Sequence, residues 1–423
     1  MLGRVGGPIS SDIRLSASAP RNMEEERMGF AYRRFGSWGL LACAALAAFS
    51  LEAVAGPPDP EAGSADPALT APISVGFNHV CALASSGVAH CWGGNGSGQL
   101  GDGSDSLRMV PEAVAGDLEL ESISAGLRRS CGVAAGDIFC WGSNRLGGLG
   151  DGGEGDRLEP VRVVGGLSFA AVSVGNRHTC GVTTGGAAYC WGVNSFGQIG
   201  DGSRENRERP APVGGSLNFT SVSAGLEHTC GLTSGGEAWC WGANYMGQLG
   251  DGDRTDARAE PQRVAGDRTF VTVVAGYNVS CGVTENGEAW CWGVNHTGAL
   301  GDGTDELRDV PVQVEGDLSF RSISIGQLHT CGVTQDGAAY CWGFNNRGQV
   351  GDGSRQNRSN PVRVAGDLTF DHVSAGALHT CGVTTTGEVH CWGRDLSVGL
   401  GGTSDGDHLE PTRVETEVTF RTR

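Results

Sequence analysis

The tripeptide Cys-Trp-Gly occurs seven times in this chain, with its tryptophans at Trp92, Trp141, Trp191, Trp241, Trp292, Trp342 and Trp392, 49 to 51 residues apart. A proline follows each at a near-constant offset: Pro111, Pro160, Pro210, Pro261, Pro311, Pro361 and Pro411. A period of this length means that one supersecondary unit is being repeated, and such a unit buries its apolar face only by stacking on its neighbours. The third repeat shows the plan. Val172-Ser-Val-Gly175 and His178-Thr-Cys180-Gly-Val-Thr183 read as two short strands, and Thr184-Gly185-Gly186 turns the chain into a third, Ala187-Ala-Tyr-Cys190-Trp191-Gly192. A long Gly/Asp/Asn-rich loop then leads to Pro210-Ala-Pro-Val213, a strand whose prolines suit a sheet edge. The 72 glycines supply the tight turns that so many short strands require. The fold class expected is all-β: a seven-bladed β-propeller of four-stranded antiparallel blades, occupying residues 73–423. A linear solenoid would need atypical capping repeats, and none is visible. The ends also suit a ring. Val418-Thr-Phe420-Arg421-Thr422-Arg423 stops where the next repeat's Val-Ser-x-Gly strand would begin, and Ile73-Ser-Val-Gly76 supplies that strand.

Within the third repeat, Gly175-Asn-Arg-His178-Thr179 and Trp191-Gly-Val-Asn194-Ser-Phe-Gly197-Gln198-Ile-Gly200 resemble the blade signature of the regulator of chromosome condensation repeat family. The resemblance covers about residues 73–423 and implies the same propeller, in a bacterial-type exported form. It also implies guanine-nucleotide exchange on a small GTPase as one possible activity, although fold by itself does not fix function. The family histidine falls at His79, His178, His228, His329 and His379; Arg129 and Val279 replace it in repeats two and five. The last repeat departs further, reading Trp392-Gly-Arg-Asp395-Leu-Ser-Val-Gly-Leu-Gly401.

Ahead of the propeller, residues 28–55 read as an export signal: Arg33 and Arg34 precede an apolar run from Phe35 to Leu51, and Ala53-Val54-Ala55 offers a small-x-small cleavage site. Residues 1–27 are an upstream extension with Met23 or Met28 as alternative starts, and residues 56–72 read as a flexible linker. Two other readings of the segment stay open: acylation at Cys43, or retention as an uncleaved anchor. Either would give the only membrane attachment expected. The net charge of -18, carried with no lysine at all, disfavours nucleic acid and anionic lipid as partners.

Apart from Cys43, the cysteines fall into pairs that each bracket one hairpin: Cys81 with Cys91, Cys131 with Cys140, Cys180 with Cys190, Cys230 with Cys240, Cys281 with Cys291, Cys331 with Cys341 and Cys381 with Cys391. Ten-residue spacing sets partners opposite each other across a three-residue loop. In repeat two the spacing is nine, which needs a two-residue turn to keep the cysteines on one face. An exported chain with an even number of paired cysteines favours disulfides; the alternative is fourteen small buried thiols. Without CxxC spacing, neither redox catalysis nor structural zinc is expected.

No cofactor, metal or catalytic constellation is expected. The five histidines sit on separate blades, too far apart to share one ion, and each is expected to bond within its own blade. Asp102, Asp151, Asp201, Asp251, Asp302 and Asp352 occupy Asp-Gly turns. Asp251-Gly-Asp253-Arg-Thr-Asp256 resembles a calcium loop only in part, lacking the central glycine and terminal glutamate. Trp239-Cys-Trp241 and Trp290-Cys-Trp292 place two tryptophans on one strand face, which reads as core packing.

In a four-stranded meander the first and third loops emerge on one side. Compared across repeats, those loops vary most. They offer Phe77, Arg128, Arg177, Glu227, Tyr277 and Gln327 from the first loop, with Phe196, Tyr245, Met246, His296 and Arg347 from the third. Aromatic and arginine enrichment is what protein interfaces favour. The expected function is therefore an exported, monomeric, non-enzymatic scaffold that binds a protein partner through this face. Guanine-nucleotide exchange and carbohydrate binding or cleavage are the competing readings.

Overall fold

The computed structural model describes residues 71–254, 256–395 and 406–422. It contains seven four-stranded sheets, each an antiparallel meander of consecutive strands. Blade three runs Phe169–Val174, His178–Thr183, Ala188–Gly192 and Arg207–Pro212 from axis to rim. The outer strand thus begins three residues before Pro210, whose missing N–H faces the open edge. Gly186, at φ 83°, closes the three-residue loop of this blade's central hairpin. In blade two the loop is Ala135-Gly136 alone, at φ 50° and 79°, the paired positive angles of a two-residue hairpin turn. The expected export segment and upstream extension lie outside the described residues, as does the linker up to residue 70. Ala71 and Pro72 are buried, and the Pro72 carbonyl accepts the Leu83 N–H at 2.8 Å. Among the described residues no helix is long and apolar enough to cross a membrane.

All seven expected cysteine pairs are bridged. Cys81 is joined to Cys91, Cys131 to Cys140, Cys180 to Cys190 and Cys230 to Cys240. Cys281 is joined to Cys291, Cys331 to Cys341 and Cys381 to Cys391, and throughout the set the Cα atoms of partners lie 4.0–4.1 Å apart. Directly opposed register makes this possible: Cys180 faces Cys190, and Cys131 faces Cys140 across the shortened turn. The same register sets Cys81 against Cys91, Cys281 against Cys291, Cys331 against Cys341 and Cys381 against Cys391. Iodoacetamide should therefore leave these fourteen cysteines unlabelled until the chain is reduced, and labelling without reduction would contradict the pairing. Removing one bridge by the double change Cys230→Ala and Cys240→Ala should cost up to ~2–3 kcal/mol, the loop-closure entropy of a ten-residue hairpin.

Blades stack through seven apolar clusters, each straddling two neighbours. In one of them Cys180, Val182, Cys190 and Ile199 of blade three meet Phe219, Val222 and Trp241 of blade four. A blade presents its disulfide to one neighbour and its tryptophan to the other, as alternation along the strand dictates. The seven Cys-Trp-Gly tryptophans are wholly buried. Trp239 packs beside Trp241, and Trp290 beside Trp292, in keeping with the core role expected of the doubled tryptophans. Gly200 shows why glycine recurs after each aspartate-bearing loop begins: its φ is 80°, and a Cβ there would lie 2.6 Å from Trp241 Nε1.

The ring closes. Around the axis a Cβ on Gly76, Gly126, Gly175, Gly225, Gly276, Gly326 or Gly376 would stand within 3.2 Å of the next blade's glycine carbonyl, and Gly376 meets Gly76 to complete the circuit. Inner-strand serines bind the same seams, each accepting an N–H from a neighbouring blade: Ser74 from Ala125 at 2.9 Å, Ser124 from Val174 at 2.9 Å, and finally Ser374 from Val75 at 3.0 Å. All four strands of blade one lie between Ile73 and Ala113, and the carboxy-terminal segment docks against it through an isolated bridge from Phe420 to Ala84. Arg421 N–H donates to the Leu83 carbonyl (2.8 Å), Ser85 N–H donates to Thr419 (3.0 Å), and Phe420 packs 6.2 Å from Trp92. Phe420 fills the place that Phe219 and Phe370 fill beside Trp241 and Trp392.

Candidate functional site

The first and third loops meet on one side of each blade. The second variable residue of the first loop lends its carbonyl to the segment after Trp-Gly, as in Arg177 to Val193 (3.1 Å) and Glu227 to Ala243 (2.8 Å). A polar clasp then fixes the long third loop. In blade six Asn345 Nδ2 donates to Asp352 (3.1 Å), Ser354 N–H donates to the same carboxylate (3.0 Å), and Arg358 Nε closes on it at 2.7 Å. The equivalent carboxylates of blades one, two, three and five are clasped in the same way, Asp102 by Arg108, Asp151 by Arg157, Asp201 by Arg207 and Asp302 by Arg308. Burial opposes ionisation of these aspartates, but the hydrogen bonds from the arginine and from the residue two positions on outweigh it, and their pKa values fall below the ordinary carboxylate value. The six aspartates are thus turn-forming residues bound within their own loops. The arginine was not singled out in the sequence, although its return six residues after the aspartate in most repeats is a readable signal.

The histidines do not bond within their own blades, as expected from sequence; they reach across to the next. His178 Nε2 lies 2.7 Å from Thr229 Oγ1, and Thr229 donates its one hydroxyl proton to the Gln198 carbonyl (2.8 Å), which also receives Trp241 Nε1 (2.9 Å). With the threonine proton committed, the histidine must be the donor, so Nε2 carries the hydrogen. The same relay joins His79 to Ser130, His228 to Ser280 and His329 to Thr380. Burial pushes the pKa of His79, His178, His228 and His329 down to about 3. At the closing seam Val80 replaces the hydroxyl residue, and among the described residues His379 Nε2 and Trp92 Nε1 have no partner.

Six of the candidate partner-binding residues are gathered over blades three to five. Glu227 is only 8% exposed: it accepts the Tyr245 hydroxyl at 2.9 Å and lies 3.5 Å from Arg177. Phe196 and Tyr245 have ring centroids 6.0 Å apart. Burial, then the Glu227 charge, push the Tyr245 phenol up, and Tyr277 of the next blade adds to the effect. Beside them Met246 is half-buried, its N–H held by Gln248 Oε1 at 2.9 Å.

The other candidates stand apart. Phe77, 44% exposed, joins Tyr277 and Gln327 around the mouth of a central channel of about 180 Å³. His296 is exposed on blade five, and Arg347 on blade six is drawn to Asp407 at 3.5 Å. Arg128 is exposed on blade two. Sequence reasoning noted Arg129 only as a replacement for the histidine and passed over Arg145 and Leu146. Arg129 is 5% exposed, and burial pushes its pKa down to about 10; Leu146 is 47% exposed.

The sequence profile of the regulator of chromosome condensation (RCC1) repeat matches residues 135–182, 185–232, 235–283, 286–333 and 336–383, and a second profile of that repeat matches six segments between residues 73 and 397. No curated protein matches the chain in sequence. Among solved structures, the chain is similar to yeast RCC1 (Prp20) from its complex with Kap60, at 20% identity and a TM-score of 0.70 over 79% of this chain and 85% of that one. Human WBSCR16 is similar at 20% identity and a TM-score of 0.67, over 74% of this chain and 87% of that one. The ectodomain of the Arabidopsis thaliana receptor kinase ACR4 is similar at 21% identity and a TM-score of 0.51, over 80% of this chain and 98% of that one.

Proposed function

Because the chain belongs to the regulator of chromosome condensation repeat family, we propose that it is an exported propeller whose work is to hold a protein partner. Binding takes place on the face of the first and third loops. The observation that carries this reading is the group made by Arg177, Phe196, Glu227, Tyr245 and Tyr277. Aromatic rings and an arginine there are held by hydrogen bonds and an ion pair on a rigid frame, so little freedom is lost on docking. Export is supported by the seven bridges and by the signal-like residues 28–55. A non-enzymatic role is supported by the repetition itself, since a reaction centre needs unlike groups converging at one point.

The exported protein, immobilised and offered its native extracellular milieu, should retain a protein partner. Tyr245→Ala and Tyr277→Ala should each weaken that capture by roughly tenfold or more, the loss typical of a central aromatic contact. Capture unaffected by both changes would remove this face from consideration.

Guanine-nucleotide exchange is the second reading, favoured by the likeness to Prp20. Against it stands the uniform repeat length of 49–51 residues, which leaves no inserted wedge for a nucleotide site. Accelerated nucleotide release from a small GTPase would restore it.

A further inference from the structure

Blade two breaks the repeat at linked positions on the binding face. Arg129 stands where five other blades carry histidine and blade five carries Val279, and its guanidinium lies where the glutamine of the third loop would be. A Cβ on Gly148 would fall 1.3 Å from Arg129 Nη1, so only glycine fits. In blades one, three, four and six the glutamine Oε1 accepts the N–H of Ser97, Phe196, Met246 or Arg347 at 2.9 Å. Leu146, like Thr297 ahead of Ala299, has no such acceptor, and among the described equivalents Ser97, Phe196, Met246, Thr297 and Arg347 none shares its left-handed conformation, φ 56°, ψ 38°. A large apolar side chain is therefore displayed on a strained backbone. Strain of this kind persists where surrounding contacts enforce it and clusters at functional sites.

Leu146 lines a groove with Asp201, Arg207, Glu208 and Arg209, and Arg145 precedes it in the chain. Most rim arginines of this acidic chain are neutralised by a neighbouring carboxylate. Arg128 and Arg145, both exposed, make no ion pair among the described residues. Beneath them Arg129 is buried with a backbone carbonyl, Asn176 O at 3.1 Å, rather than a carboxylate, and Arg177 flanks Asn176.

We propose that this corner of blade two docks an acidic segment of a partner protein, its carboxylates on Arg128 and Arg145 and an apolar side chain against Leu146. The inference deepens the scaffold reading and rests on it. A chain with a net charge of -18 repels acidic partners over most of its surface, so a local cluster of unneutralised guanidinium groups selects both the partner and the place where it lands. The exposed leucine favours a protein segment over a nucleic acid, which would offer it little to bury.

The test uses the whole exported protein and a short fluorescent peptide of alternating glutamates around a central leucine, with a twin in which glutamine replaces every glutamate. Anisotropy should show the acidic peptide binding at least roughly tenfold more tightly than its twin, and less tightly as salt rises from about 50 to 150 mM. The double variant Arg128→Glu, Arg145→Glu should abolish the preference. Leu146→Gly should weaken binding while raising the unfolding midpoint, because glycine relieves the left-handed strain. Equal binding of the two peptides, or a preference that survives in the double variant, overturns the inference, as does a single-stranded oligonucleotide displacing the peptide. Partner capture lost with Tyr245→Ala but retained with the double variant would defeat this inference alone; capture indifferent to both would defeat the scaffold face as well.

Discussion

Acidification from about pH 7.5 to about pH 5 should cost the propeller up to about 10 kcal/mol of stability through five buried histidines. Burial holds His79, His178, His228 and His329 down to about 3 and His379 down to about 4, against an ordinary value of 6.5. The unfolded chain therefore binds these protons first. Stability begins to fall as the pH drops below the unfolded value and continues to fall until the folded value is reached. At pH 5 each histidine forfeits about 2 kcal/mol, and five independent sites give the figure above as an upper bound. The clasped aspartates act in another window. Their folded pKa values lie below 3.8, so their contribution is intact above that value and is lost only as pH falls further. Between about pH 6.5 and 4 the loss thus belongs mainly to the histidines. Guanidinium unfolding of the oxidised protein at several pH values measures it, and His178→Gln with His228→Gln should flatten the curve. A midpoint unchanged between neutrality and pH 5 would contradict the buried, neutral relay.

Phe420→Ala should cost about 3–5 kcal/mol, the usual loss for a fully buried phenylalanine. The place of the loss matters more than its size. Phe420 packs on Trp92 at the seam where Val80 has removed the hydroxyl relay, so apolar packing, a few backbone bonds and the Ser374 hydroxyl on the Val75 N–H carry the closure there. Phe320→Ala, at a seam that keeps more of its polar links, should cost a similar amount in total stability. Opening under native conditions should separate the two: proteolysis at the ends of the propeller should rise in the Phe420 variant and stay low in the Phe320 variant. Equal protease resistance would mean that the ends do not hold each other.

Blade number, hairpin register and cysteine pairing were legible in the sequence because each depends on spacing alone. Closure was legible too, since the Val418-Thr-Phe420 segment stops where Ile73-Ser-Val-Gly76 takes up the repeat. The histidine partner was not, for a physical reason. Thr179 and Thr229 occupy the same place in successive repeats, and a sequence does not tell a contact inside one repeat from a contact with the next. Glu227 sits at a variable loop position and reads as surface, yet Arg177 and Tyr245 cap it. In blade two the replacement of histidine by Arg129 is visible on inspection, as is Gly148 in place of glutamine. That one requires the other, and that Leu146 beside them takes a left-handed conformation, emerges only from the structure.

Hydrogen exchange read by mass spectrometry on the intact, oxidised protein tests most directly whether seven blades close on themselves. The N–H groups of Ser85 and Arg421 are bonded across the closure, to Thr419 and Leu83 at 3.0 and 2.8 Å. Peptides covering residues 83–88 and 417–422 should therefore exchange as slowly as the central hairpins, opening only with the whole ring. Exchange at the rate of free chain in both peptides, with the central hairpins still protected, would show an open stack and contradict the closed propeller.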